Sequence, residues 1–146
     1  RFLLKMRDQT MFIRVINMFI LMFVVSFANA ADKVSPTTVD GAQTVTAAEA
    51  KALFDKGVLF VDVRRNSEWE AGRIPGAVHI ELKKVYSKET LSKEAKTDEP
   101  VVFYCNGPKC LRSSKASASA VKWGFTEVNY FRGGLPAWQS AGYPIE

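Results

Sequence analysis

Apolar and polar positions in this chain follow two different periods. Val58-Leu-Phe-Val-Asp-Val63 and Val101-Val-Phe-Tyr104 are nearly continuous apolar runs of strand length, as expected of strands covered on both faces. Ala77–Ile80 and Glu127–Phe131 predict two further short strands. Between these runs the period lengthens. Ala50, Leu53 and Phe54 share one face of a predicted helix. Thr46-Ala-Ala-Glu49 ahead of it has the form of a capping box, and Gly57 closes it. Ser67 is placed to cap a short helix through Glu68, Trp69 and Glu70. Leu111–Trp123, rich in Ala, Ser and Lys and stopped by Gly124, predicts a longer helix. Pro136 fits the first turn of a last one that stops at Gly142. Glu81–Glu99 is charged and weakly patterned, and reads as a surface loop with one or two short helices. Strands that alternate with helices imply an α/β fold, a parallel sheet with helices on both faces.

The start of the chain has another pattern. Met11–Asn17 is short and carries Arg14, Met18–Phe27 is a ten-residue apolar run, and Ala28-Asn-Ala30 supplies small residues after it. Charge, apolar run and A-x-A in that order form the secretory signal pattern. The rival, an uncleaved membrane anchor, is disfavoured because a spanning helix needs about 20 mostly apolar residues, and Arg14, Asn17 and Asn29 intrude. The expected organisation is therefore an N-terminal extension and signal over 1–30, a flexible leader over 31–42 and one domain over 43–146. Residues 1–10 lie ahead of Met11 and stay outside the fold argument. Export, to a bacterial periplasm, is the expected location, with the membrane touched only through the signal segment.

Composition sharpens this picture. The 146 residues are 47% hydrophobic, enough for one packed core. The formal charge is +5, but residues 1–30 hold four cations and one anion, and the other 116 hold sixteen cations and fourteen anions. A nucleic-acid binder needs a dense basic face on its folded part, so nucleic acid is not an expected partner. The domain is expected to be a monomer. One histidine and two loop cysteines give no metal site, and nothing implies a cofactor.

The two cysteines carry the candidate chemistry. Cys105 directly follows an apolar strand and precedes the tight loop Asn106-Gly-Pro-Lys109, Cys110 and a helix start. Ligands of open α/β sheets bind beyond the carboxyl ends of strands, and a helix N-terminus offers free N–H groups to an anion. Lys109 and Arg112 add charge that favours a thiolate at Cys105. A thiolate in such a cradle can accept sulfur and pass it on. Arg64 and Arg132 are candidates for the pocket rim. His79 reads as a packed, hydrogen-bonded side chain, and the tryptophans as core aromatics.

Three segments resemble a rhodanese domain: Val61-Asp-Val-Arg64 with Glu68-Trp-Glu-Ala-Gly-Arg-Ile-Pro-Gly-Ala-Val-His-Ile80; Tyr104-Cys-Asn-Gly-Pro-Lys-Cys110; and Phe131-Arg-Gly-Gly-Leu-Pro-Ala-Trp138 with Ala141-Gly-Tyr-Pro-Ile145. The resemblance implies a small doubly wound sheet of about five strands. It also implies transfer of sulfane sulfur from thiosulfate or a similar anion to a thiophilic acceptor, cyanide or a thiol. Cys105 matches the family's catalytic cysteine, and Asn106, Gly107, Pro108, Lys109 and Cys110 match its amide-donating loop, with Arg112 just beyond. Arg73 stands where the family usually has His, and Cys110 where it usually has a small or polar residue. Two other classes compete. A cysteine phosphatase or arsenate reductase of this fold uses C-x₅-R, but Leu111 is the sixth residue after Cys105. A thiol–disulfide redox protein would use Cys105 and Cys110 together.

Overall fold

The computed structural model describes residues 33–146; the signal-like segment and residues 31–32 lie outside the described residues. Five strands form one sheet: β1 (Ala42–Thr44), β2 (Leu59–Asp62), β3 (Val78–His79), β4 (Val101–Tyr104) and β5 (Val128–Phe131). Their order is β1-β5-β4-β2-β3, and every pairing is parallel. The apolar run Val-Val-Phe-Tyr forms the central strand, and all four of its residues are buried.

Alternation along the strands divides the core in two. Val61, Val63, Val101, Phe103 and Cys105 face α3 (Lys88–Ser92) and α4 (Arg112–Lys122). Phe60, Val102, Tyr104 and Phe131 face α1 (Ala47–Asp55) and α5 (Gly134–Ser140), with Trp69 of α2 (Asn66–Ala71) at the edge. The parallel sheet with helices on both faces, inferred from strand–helix alternation, is the fold observed, and it has the five strands that the resemblance implied. The Thr46–Glu49 capping box forms as read, with Thr46 N–H donating to Glu49 Oε2 at 2.7 Å and Glu49 N–H to Thr46 Oγ1 at 3.2 Å.

Three local readings change. Ser67 sits inside the first turn of α2, and Arg65 is the residue before the helix, its N–H held by Glu68 Oε2 at 2.9 Å. β1 carries the polar sequence Ala-Gln-Thr and has no alternation to announce it; only pairing with β5 makes it a strand. The leader is fastened from Ser35 onward. Ser35 N–H and Oγ–H both donate to the Pro108 carbonyl, at 2.7 and 2.8 Å. Arg132 donates to the Ser35 and Pro36 carbonyls, and Tyr130 O–H to Pro36 at 3.0 Å. Ser35 and Val39 are buried. Partners 73 to 97 residues away hold this strap, so local composition could not disclose it. Among the described residues no helix is long and apolar enough to cross a membrane.

Candidate active site

β4 ends beside β2, with Tyr104 paired to Asp62, and Cys105 follows at the carboxyl end of this central strand. The sheet order runs outward in both directions from this pair, which makes it the topological switch point where α/β sheets bind ligands. The chain then reverses through Gly107, whose φ of +104° lies in the left-handed region, and Cys110 N–H closes the turn on the Gly107 carbonyl at 2.9 Å. The Gly133–Gly134 turn supports the loop from behind. Leu135 N–H donates to the Cys105 carbonyl at 3.0 Å. Gly134 has φ +59°, and a Cβ there would overlap that same carbonyl.

The two sulfurs occupy different surroundings. Cys105 is fully buried. Its Sγ accepts from the Ser113 N–H at 3.4 Å, at the start of α4, and lies 3.2 Å from Ser113 Oγ and 3.5 Å from the Cys110 carbonyl. Cys110 is half-buried, with Arg112 Nη1 3.7 Å from its sulfur. The thiols titrate as a pair. Interaction with the Cys105 thiol, stronger than the opposing effect of burial and helped by backbone N–H groups and Arg112, brings Cys110 down to about 5. The neighbouring Cys110 sulfur and burial push Cys105 well above the ordinary thiol range. The loop was expected to favour a thiolate at Cys105; the shifts run the other way, because the two sulfurs share one interaction that favours charge on Cys110, and Cys105 is the more deeply buried of the two.

A polar chain links this pair to the sheet. Arg64 grips Asp62 through Nε and Nη2, at 3.0 and 2.6 Å, and reaches Asn106 Oδ1 at 3.5 Å. Asn106 Nδ2 donates to Glu68 Oε1 at 2.6 Å, and Arg112 Nη1 to Glu68 Oε2 at 3.4 Å. Burial alone would raise the Glu68 carboxyl; the Arg65 N–H, the Arg112 charge and Asn106 together hold it below its usual range.

Beside the loop lies an open cleft of about 560 Å³, lined by Asn106, Lys109, Cys110, Leu111 and Arg112. Lys33, Arg65, Lys83 and Lys115 add to Lys109 and Arg112, so six cations face one carboxylate, Glu68. Such a cleft draws in small anions. The structure therefore brings Cys105, Asn106, Gly107, Pro108, Lys109, Cys110 and Arg112 together. It does not place the two other arginines on the cleft. Arg64 is buried under Asn106, because it lies two residues beyond Asp62 and turns to the same side. Arg132 is spent on the strap. Sequence reading missed Lys33, Arg65, Glu68, Lys83 and Lys115 on the cleft, and Ser113 against the Cys105 sulfur. The Ser113–Ser114 pair at a helix start was the one available signal. His79 packs as read: its Nε2 is 2.8 Å from the Arg64 carbonyl and its ring stacks on Trp69 at 4.9 Å.

Comparison with known proteins agrees with this geometry. The family described as Rhodanese-like domain matches residues 46–141. The thiosulfate sulfurtransferase GlpE of Pseudomonas syringae is 34% identical over 98 residues, 67% of this chain and 87% of that protein. Among solved structures, the BH2092 protein of Bacillus halodurans superposes with a TM-score of 0.63 at 27% identity, over 72% of this chain and 77% of that one. RPA3614 of Rhodopseudomonas palustris, described as a protein of unknown function and possible tyrosine phosphatase, gives 0.59 at 35% identity, over 72% and 85%.

Proposed function

The chain belongs to the rhodanese-like domain family, and on that premise we propose that it is a sulfurtransferase carrying sulfane sulfur on Cys105. The donor is thiosulfate or a similar anion, and the acceptor is cyanide or a thiol. The observation that carries this reading is Cys105 at the end of the central strand, its sulfur held by the Ser113 N–H beneath a loop bordered by a cationic cleft. The resting Cys110 thiolate takes the Cys105 proton. The Cys105 thiolate attacks the outer sulfur of thiosulfate, the S–S bond of the donor breaks, and sulfite leaves with its electron pair. The anionic terminal sulfur of the resulting persulfide is stabilised by N–H donors at the start of α4. An acceptor then attacks that terminal sulfur and the Cys105 thiolate is restored.

The phosphatase reading keeps one point in its favour, the description given to RPA3614. Against it, Arg112 is one residue too far along for C-x₅-R, and its guanidinium is engaged by Glu68 and Cys110. Sulfite release on thiosulfate treatment separates the two. The expected outcome is about one sulfite per chain from the wild type and none from Cys105→Ala, with both folded. Hydrolysis of an aryl phosphate without sulfur uptake would overturn the reading. Export is part of the same proposal and rests on the Met11–Ala30 pattern. Protein recovered from its native cells should begin near Ala31.

A further inference from the structure

A transferase that hands sulfur to an external acceptor needs one cysteine, and this site holds two. Both are free thiols. Cys110 is not simply filling space. It lines the cleft, Arg112 Nη1 lies 3.7 Å from its sulfur, and its own carbonyl is 3.5 Å from the Cys105 sulfur. The turn from Gly107 to Cys110 curls the loop so that the second cysteine returns to the first. Pro108, at the top of that turn, is held in place by two donors from Ser35. The side chain beside the persulfide carrier is therefore a second sulfur nucleophile with a cation at its flank.

We propose that Cys110 resolves the Cys105 persulfide internally, forming a Cys105–Cys110 disulfide and releasing hydrosulfide into the cleft. This rests on the sulfurtransferase reading above and adds an activity to it. In the step, the Cys110 sulfur attacks Sγ of Cys105. A bond forms between the two Sγ atoms, and the bond from Cys105 Sγ to the terminal sulfur breaks. The terminal sulfur leaves with the electron pair and takes the Cys110 proton, giving HS⁻. The sulfane sulfur is reduced and the two cysteine sulfurs are oxidised. An external dithiol then reduces the disulfide by exchange. Over a cycle, thiosulfate and a dithiol give sulfite, hydrosulfide and the oxidised dithiol. The thiolate is the attacking species, and Arg112 Nη1, 3.7 Å from the Cys110 sulfur, stays beside it when Cys105 carries the persulfide.

The test is a single turnover. Reduced protein, freed of reductant, is treated with thiosulfate and no acceptor, for wild type, Cys110→Ser and Cys110→Ala. Sulfide release and intact mass are read together. Wild type should release sulfide and finish two hydrogens lighter than the reduced chain, with one peptide linking Cys105 to Cys110. Both variants should load more slowly, finish one sulfur atom heavier, and release sulfide only at background level. A stable persulfide in the wild type, with sulfide release no greater than in the variants, overturns the inference and leaves the sulfurtransferase reading standing. Failure of the wild type to react with thiosulfate at all overturns both. Folded variants that cannot be loaded at all would make Cys110 essential to loading itself and would also overturn it. Two different replacements guard against one that disturbs the loop.

Discussion

At the residue scale, two sulfurs on one loop sit in different surroundings and shift in opposite directions. Cys105 and Cys110 are five positions apart on one turn, yet burial, Ser113 and Arg112 treat them differently. An ordinary thiol, with a pKa of about 8.5, loses reactivity about tenfold for each pH unit below that value. Cys110, lowered to about 5, keeps its thiolate until the pH falls through that region. Iodoacetamide should therefore modify Cys110 at pH 6.5 almost as fast as at pH 8. Cys105→Ala removes the largest cause of the lowering, so its alkylation profile should move to higher pH. Peptide mapping of the labelled protein measures both, and identical profiles would show that Cys105 does not influence its neighbour. Sequence disclosed that both sulfurs belonged to one loop. It did not disclose which of the two is more readily charged, because that depends first on how the sulfurs face each other in the folded loop and then on what packs over them.

At the element scale, the loop is shaped as much by its supports as by its own residues. The turn opening α5 approaches so closely that no side chain fits at Gly134. That residue also has a left-handed φ, which costs an L-residue about 1–2 kcal/mol before any overlap is counted. Gly134→Ala should lower stability by more than about 2 kcal/mol and slow persulfide loading, because the Cys105 carbonyl must move away. Urea unfolding and the rate of sulfite release from thiosulfate check the two effects separately; loss of stability with normal loading would mean that the turn does not shape the loop. Helices and central strands were legible here: capping at Thr46, apolar runs at Val58 and Val101, and stops at Gly57 and Gly124 are short-range signals. The strap from Ser35 and the edge strand β1 were not, since each exists only through partners distant in sequence.

At the scale of the whole molecule, parallel crossovers gather residues from 33 to 115 around one cleft and set one ion pair beneath it. Asp62 is fully buried and its pairing with Arg64 is 2.6 Å long. Removing one partner of such a pair strands a buried charge, at a cost of about 3–5 kcal/mol. Asp62→Ala should lose about that much in chemical denaturation. The double variant Asp62→Ala/Arg64→Met should recover a good part of it, and equal losses in both would show that the apolar surroundings, not the stranded charge, set the cost. By itself the sequence determined the fold class, the order of the main strands and helices, and the position of Cys105 at a strand end. These follow from alternation, helical period, capping and turn glycines, all of which act over a few residues. Tertiary structure alone decided that Arg64 turns inward while Arg65 faces the cleft, that Arg132 holds the strap, and that a nearly balanced domain concentrates six cations at one site. Burial and electrostatic fields are sums over neighbours in space, and here those neighbours lie on strands and loops that only the folded sheet brings together.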